Sequence, residues 1–212
     1  MFVYVMLASG VCWIITYLLI IRLGFAQRTY GMPMAALCAN ISWELIFSFI
    51  HPHPTPYLYT NYVWFLFDAV IFYQLLAHWR NDHPTWIPTQ FYLNFTATLV
   101  SAFCLVLFIT YEFKDWFGPY TAFGQNFMMS VLFINLLNRR GSLSGQSLGI
   151  ALFKMIGTTL ASIGFCFLFP NKPHQSPLFL FLYAATFVAD VAYVVMVYRL
   201  QTQNYQKSSL LP

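Results

Sequence analysis

Three carboxylic acids lie inside runs of apolar residues. Glu44 interrupts "NISWELIFSFI", Asp68 interrupts "WFLFDAVIFY" and Asp190 interrupts "FVADVAYVVMV", half of the six acidic residues in the chain. An ionised carboxylate at bilayer depth costs at least ~2.5–3.5 kcal/mol. Such a residue faces the protein interior, pairs with a cation, or keeps its proton. Burial disfavours the charged form, and a second carboxyl nearby disfavours it further for one of the two. The chemistry on offer is that of an acid still protonated near neutral pH. It could pass its proton to a weak base such as an epoxide oxygen or a trisubstituted alkene. Aromatic residues make up 20% of the chain, and their faces attract cations. A buried acid among aromatic rings suits carbocation chemistry, and it would suit a proton-coupled carrier as well.

Helical spacing surrounds the acids with polar and aromatic neighbours. Asn40, Glu44, Phe47 and His51 share one stripe; Asn61, Trp64, Asp68 and Phe72 a second; Tyr183, Thr186, Asp190, Tyr193 and Val197 a third. The fourth apolar segment offers Asn94, Thr98 and Ser101, and the fifth Gln125, Asn126, Met129 and Phe133. A single amide or hydroxyl of this kind often only links helix to helix; the three acids together are the stronger sign of a site. Lys154, in "ALFKMIGTTL", reads as a side chain that snorkels to the interface or pairs with an acid. His51, His53, His78, His83 and His174 fall at segment ends and in loops without metal-ligand spacing, and "HPHP" reads as a loop. Cys12, Cys38, Cys104 and Cys166 sit in apolar runs as small hydrophobes, so neither zinc nor a disulfide framework is expected.

The elements that must hold these residues are membrane helices. The 212 residues are 59% hydrophobic and only 8% charged, against about 25% charged in soluble domains. Seven apolar segments, at about 3–22, 32–51, 60–79, 89–111, 118–138, 147–170 and 177–200, are each near the ~20 residues that span a bilayer. They predict an all-α polytopic protein, seven transmembrane helices in one bundle, with residues 1–212 as a single integral-membrane domain. The first segment lacks a basic leader and is read as a span, not a cleaved signal. Pro33 and Pro119 sit at first turns; Pro52, Pro54, Pro56, Pro84, Pro88, Pro170, Pro173 and Pro177 mark loops or helix edges. Arg22, Arg28, Arg80, Arg139, Arg140, Arg199 and Lys207 flank one set of loops or the tail, whereas Lys114 and Lys172 flank the other. The positive-inside rule therefore predicts a cytoplasmic C-terminus and an outside or lumenal N-terminus. The scattered charges exclude a nucleic-acid stripe. Glu44 and Asp68 fall about eight residues from the outer ends of their spans, roughly 12 Å by helical rise. Asp190 lies deeper, and all three could open into one cavity.

The stretch "NISWELIF" resembles the N-x-x-W-E segment of the small membrane-integral terpene cyclases of fungal meroterpenoid and indole-diterpene pathways, which have bacterial relatives. "WFLFDAVIFY" is similar to their W-x-x-x-D segment. "GQNFMMSVLFINLLNRRGSLSGQS" with "KMIGTT" resembles their fifth-helix, R-x-x-x-x-G-x-S and basic-x-x-G-T stretches, and "FVADVAYVVMVY" their acidic final helix. The ordered set runs from about residue 30 to residue 200. The resemblance implies protonation-started cyclisation of a prenyl chain attached to an aromatic, polyketide, indole or peptide-derived group, without metal or cofactor. It carries the two catalytic acids onto Glu44 and Asp190, with Asp68 a third acid of lower rank. On that reading Asn40 orients Glu44, and Trp43, Trp64, Tyr183 and Tyr193 are candidates to face the cation, with lipid the alternative for Trp43. Gln125 and Asn126 are candidate substrate contacts. The chain lacks the DDxxD and NSE/DTE-like clusters of magnesium-dependent cyclases. The implied partners are a lipophilic prenylated substrate, the bilayer, and an upstream prenyltransferase or epoxidase; the implied location is the endoplasmic reticulum in a fungus or the plasma membrane in a bacterium. A proton-coupled seven-helix carrier or sensor, with Asp68 and Asp190 as relay acids, is the alternative, and a sterol isomerase a weaker third reading.

Overall fold

A computed structural model describes residues 1–170 and 174–209; Lys172 and Pro173 lie outside them, as does the side chain of Lys207. Seven helices follow one another: α1 (Phe2–Gln27), α2 (Met34–Leu45), α3 (Tyr57–His78), α4 (Pro88–Glu112), α5 (Pro119–Arg140), α6 (Leu148–Ile163) and α7 (Pro177–Ser209). The protein is an all-helical polytopic membrane bundle. Prolines open α4, α5 and α7, where the missing N–H has no helical partner in any case. Pro33 stands just before α2.

Among the described residues, α1, α3, α4 and α7, and α6 together with the turn that continues it to Leu168, are long and apolar enough to cross a membrane. The two other expected spans are α2, which is shorter, and α5, which ends in Arg139–Arg140 and carries Gln125, Asn126 and Asn135. α2 falls short by length alone, whereas the polar residues of α5 weaken its apolar signal.

Two helices do not end where regular geometry would end them. α2 widens into a π-turn at Ile46–Ile50, and α6 does so at Gly164–Leu168. In the first, the His51 amide donates to the Ile46 carbonyl at 2.7 Å, a five-residue step. The extra residue rotates the chain, so His51 leaves the Asn40–Glu44 stripe. It bonds the Tyr111 hydroxyl at 3.1 Å and packs edge-on against Trp116.

The packing brings α1 against α6 closely. Ser9 Oγ donates to the Gly157 carbonyl at 2.7 Å, and a Cβ on Gly157 would come within 2.9 Å of the Trp13 ring. At the other end of the molecule a single guanidinium gathers three loops. Arg140 bonds Asp82 through Nε (2.9 Å) and a terminal nitrogen (2.6 Å), and donates to the Tyr30 and Ser144 carbonyls. The loops after α1, α3 and α5 thus share one end of the bundle, as alternating spans require.

Candidate active site

Asn40 and Glu44 sit one turn apart on α2, and that turn aims both side chains at Tyr17 of α1 and Asp68 of α3. The Asn40 amide nitrogen lies 3.0 Å from Glu44 Oε1 and 2.8 Å from Asp68 Oδ2, and it also donates to the Tyr17 hydroxyl. An amide has two hydrogens for these three acceptors, so the bonds are shared. Tyr17 in turn donates to Glu44 Oε1 at 3.0 Å, and Gln125 of α5 donates to Asn40 Oδ1 at 3.2 Å. Glu44 is 1% exposed and Asp68 0%, which leaves no water to screen two charges. The second oxygens, Glu44 Oε2 and Asp68 Oδ1, have no partner. Two carboxyls on one amide in a dry site are held most cheaply with a proton between them.

Beside this cluster lies a partly open cavity rich in aromatic side chains. Trp13, Tyr17, Trp43, Trp64, Phe123 and Phe165 line it, with Gln125 and Asn126 among the polar contributors. Tyr17 and Gln125 belong to both cavity wall and polar cluster; Glu44 and Asp68 stand behind them. Trp43 is buried, its indole N–H directed at Thr121 Oγ1 (3.1 Å) and the Gly118 carbonyl (3.3 Å), so it does not face lipid. The Trp64 indole nitrogen and Gln125 Oε1 are buried without partners.

Asp190 is elsewhere. Lys154 of α6 reaches it at 2.5 Å and also donates to Ser130 Oγ of α5 at 2.6 Å. Lysine and aspartate are both buried, so Lys154 pairs with an acid and does not snorkel. Asp190 also lines a separate groove between α6 and α7, beside Thr158, Cys166 and Tyr183. The expectation that three acids share one cavity is therefore corrected: Glu44 and Asp68 form a pair, and Asp190 is matched by a cation.

Comparison with known proteins places this arrangement. A family model described as Pyr4-like transmembrane terpene cyclases matches residues 2–203. The chain belongs to that family. It is 30% identical to the Pyr4-family terpene cyclase mfmH of Annulohypoxylon moriforme, over 88% of this chain and 81% of the relative. It is 28% identical to the terpene cyclase macJ of Penicillium terrestre, over 96% and 83%. Identity to the terpene cyclase pyr4 of Aspergillus fumigatus is 25%, over 96% and 88%. No solved structure matches the chain. The protein is a membrane-bound terpene cyclase, and its family implies a lipophilic terpenoid substrate.

In this cyclase the sequence-predicted residues divide. Asn40, Glu44, Asp68 and Gln125 form one bonded cluster, and Trp43, Trp64 and Asn126 line the cavity beside it. Tyr183 lines the α6–α7 groove and packs on Phe123, its hydroxyl donating to the His174 carbonyl at 3.1 Å. Tyr193 lines neither the aromatic cavity nor the α6–α7 groove: it is fully buried against Phe133, its hydroxyl bonding Gln146 at 2.9 Å. Asn94 and Thr98 bond carbonyls of their own helix and face a groove between α2, α4 and α5. Of the remaining acids, Asp82 meets Arg140. Asp115 accepts from the Tyr120 amide at 3.0 Å, and burial pushes its carboxyl up to about 6 despite bonds from the Thr121 and Tyr120 amides. The sequence reading missed Tyr17 and Trp13 of α1 and His53. The first two belong to "CWIITYLL", where Thr16 is the sole polar neighbour and no acid or amide sets them apart from lipid-facing rings.

Proposed function

We propose that this cyclase protonates the terminal epoxide or alkene of a prenylated acceptor and guides the resulting cation through ring closure. The observation that carries the reading is the Glu44–Asp68 pair on the Asn40 amide, joined through Tyr17 to an aromatic cavity. The Tyr17 O–H breaks as its proton bonds to the epoxide oxygen or alkene carbon, and a carboxyl O–H of the pair behind it restores the tyrosyl proton. Electron pairs of successive alkenes then form the ring bonds, and loss of a proton from carbon ends the cascade. Proton gained and proton lost balance, so the product is an isomer of the substrate. Trp43, Trp64 and Trp13 offer π faces along the path.

Asp190 enters the proposal differently from Glu44. A carboxylate neutralised by Lys154 is a poor proton source, so we assign it the organising role: it fixes α7 against α5 and α6 and sets the potential around the cation. The relatives macJ, pyr4 and mfmH are terpene cyclases, which supports cyclase chemistry; extending it to a farnesyl- or geranylgeranyl-bearing meroterpenoid or indole-type acceptor belongs to this proposal. So do independence from metal, an upstream prenyltransferase or epoxidase, a lumenal N-terminus, and one membrane domain spanning residues 1–212. Membranes containing the protein, incubated with epoxidised and plain farnesylated acceptors, should give cyclised products of unchanged mass, with EDTA present or absent. Activity abolished by EDTA and restored by magnesium would replace protonation with diphosphate ionisation.

A further inference from the structure

The aromatic cavity has a second polar end, and its chemistry differs from that of the acids. His53, in the loop between α2 and α3, lines the cavity with Tyr57, Asn61 and Phe117 and is only 5% exposed. Its ring stacks on Phe117 (centroids 4.8 Å apart, planes at 16°), lies against Phe47 at 4.8 Å, and meets Trp43 edge-on at 5.5 Å. Asn61 and Asp68 are two turns apart on α3, roughly 10 Å by helical rise, with Trp64 between them. His53 therefore stands at one end of the compartment, and Tyr17 and Gln125, with the acid pair behind them, stand toward the other.

The hydrogen bonds of Asn61 fix which imidazole nitrogen carries the proton. Asn61 Nδ2 lies 3.1 Å from the Phe47 carbonyl and 3.0 Å from His53 Nδ1. A carbonyl only accepts, so this side of Asn61 is its NH2 group, and it donates to Nδ1 as well. In a neutral ring the single hydrogen must then be on Nε2. Burial lowers the imidazole to about 4, opposed in part by the Phe117 carbonyl, and the ring is neutral at physiological pH. Nε2 makes no well-formed hydrogen bond, although the Phe117 carbonyl is near enough to offset part of the effect of burial. A buried donor left unmade is costly, and an acceptor from a bound molecule would complete it.

We infer that the outer end of the cavity is a subsite for a hydrogen-bond-accepting oxygen, a carbonyl or ether, on the non-prenyl part of the substrate, and that His53 Nε2–H is the donor that reads it. This rests on the cyclase reading of the same cavity. The prenyl chain is hydrocarbon and its reactive terminus belongs at the acid pair, so only the acceptor group can bring oxygen to the far end. A fixed N–H selects an acceptor there and disfavours a protonated amine.

The test compares two farnesylated acceptors that differ only in a ketone replaced by methylene, measured as the ratio of their kcat/KM values. Wild type should prefer the ketone on the order of ten-fold, as expected for one buried hydrogen bond. His53→Phe, which keeps the ring stack, should bring the ratio close to one. His53→Gln, whose amide nitrogen falls near the Nε2 position, should retain most of the preference. Nitrogen-15 NMR of labelled histidine should find the His53 proton on Nε2. A His53→Phe ratio equal to wild type, or a proton on Nδ1, overturns the inference. Failure of wild type to cyclise either compound would instead overturn the cyclisation proposal itself.

Discussion

Lys154 Nζ lies 2.5 Å from Asp190 Oδ1, and both side chains are sealed from solvent between α5, α6 and α7. Removing one member of such a pair leaves an uncompensated buried charge, at a cost of about 3–5 kcal/mol, whereas replacing both with apolar groups often costs little. Lys154→Met should therefore lower the unfolding temperature in detergent markedly, and the double change Lys154→Met with Asp190→Leu should lower it less. A double variant less stable than the single one would show that the pair is not charge-matched.

The amide of Asn40 touches Tyr17, Glu44 and Asp68 at once. Asn40→Leu removes the shared donor without adding charge. The expected result is a folded protein whose cyclisation rate falls by about 100-fold or more, the usual range for a lost general-acid arrangement. Product assays beside a detergent melting curve separate this outcome from unfolding.

Tyr17 joins the acid pair to the cavity wall. Tyr17→Phe keeps the ring, its tilted contacts with Trp13 and Phe67, and the apolar wall. It should lower kcat by about 100-fold and leave KM nearly unaltered, because the hydroxyl acts on the proton and not on chain binding. A rise in KM with kcat preserved would assign Tyr17 to binding alone.

At the opposite end, Asp82 makes stability depend on pH. Burial pushes its carboxyl up, but hydrogen bonds from Arg140 and Tyr30 and the charges of Arg140 and Arg139 outweigh burial and hold it below the usual carboxylate range. A depressed folded value means that the unfolded chain binds the proton more readily. The contribution is therefore complete above the unfolded value of about 3.9 and is lost as pH falls through the lower folded value. Asp82→Asn should be less stable than wild type at pH 6, and the gap should narrow below about pH 4. An unchanging gap across that window would contradict the linkage.

Much of this arrangement is legible in the sequence because the bilayer penalises polar side chains. That penalty made Glu44, Asp68 and Asp190 visible at once, and helical spacing placed Asn40 over Glu44 and Asn61 and Trp64 along the face of Asp68. What lay beyond the sequence follows from tertiary packing. Nothing in "IHPHP" says that His53 folds under Phe117, because the π-turn that brings it there breaks the regular stripe. Likewise "KMIGTT" does not say which acid Lys154 will meet; the crossing of α6, α5 and α7 decides it. Tyr193 had the right spacing for a site, but the direction it faces is set by Phe133 and Gln146.

The central claim is that the pair of Glu44 and Asp68 holds the initiating proton. The most direct measurement is turnover of a prenylated acceptor by membranes carrying Glu44→Gln or Asp68→Asn, with equal amounts of folded protein established first. Each change, which keeps shape and removes the acid, should lower cyclised product by about 100-fold or more. Near wild-type turnover in both variants would contradict it and move the proton source elsewhere in the bundle.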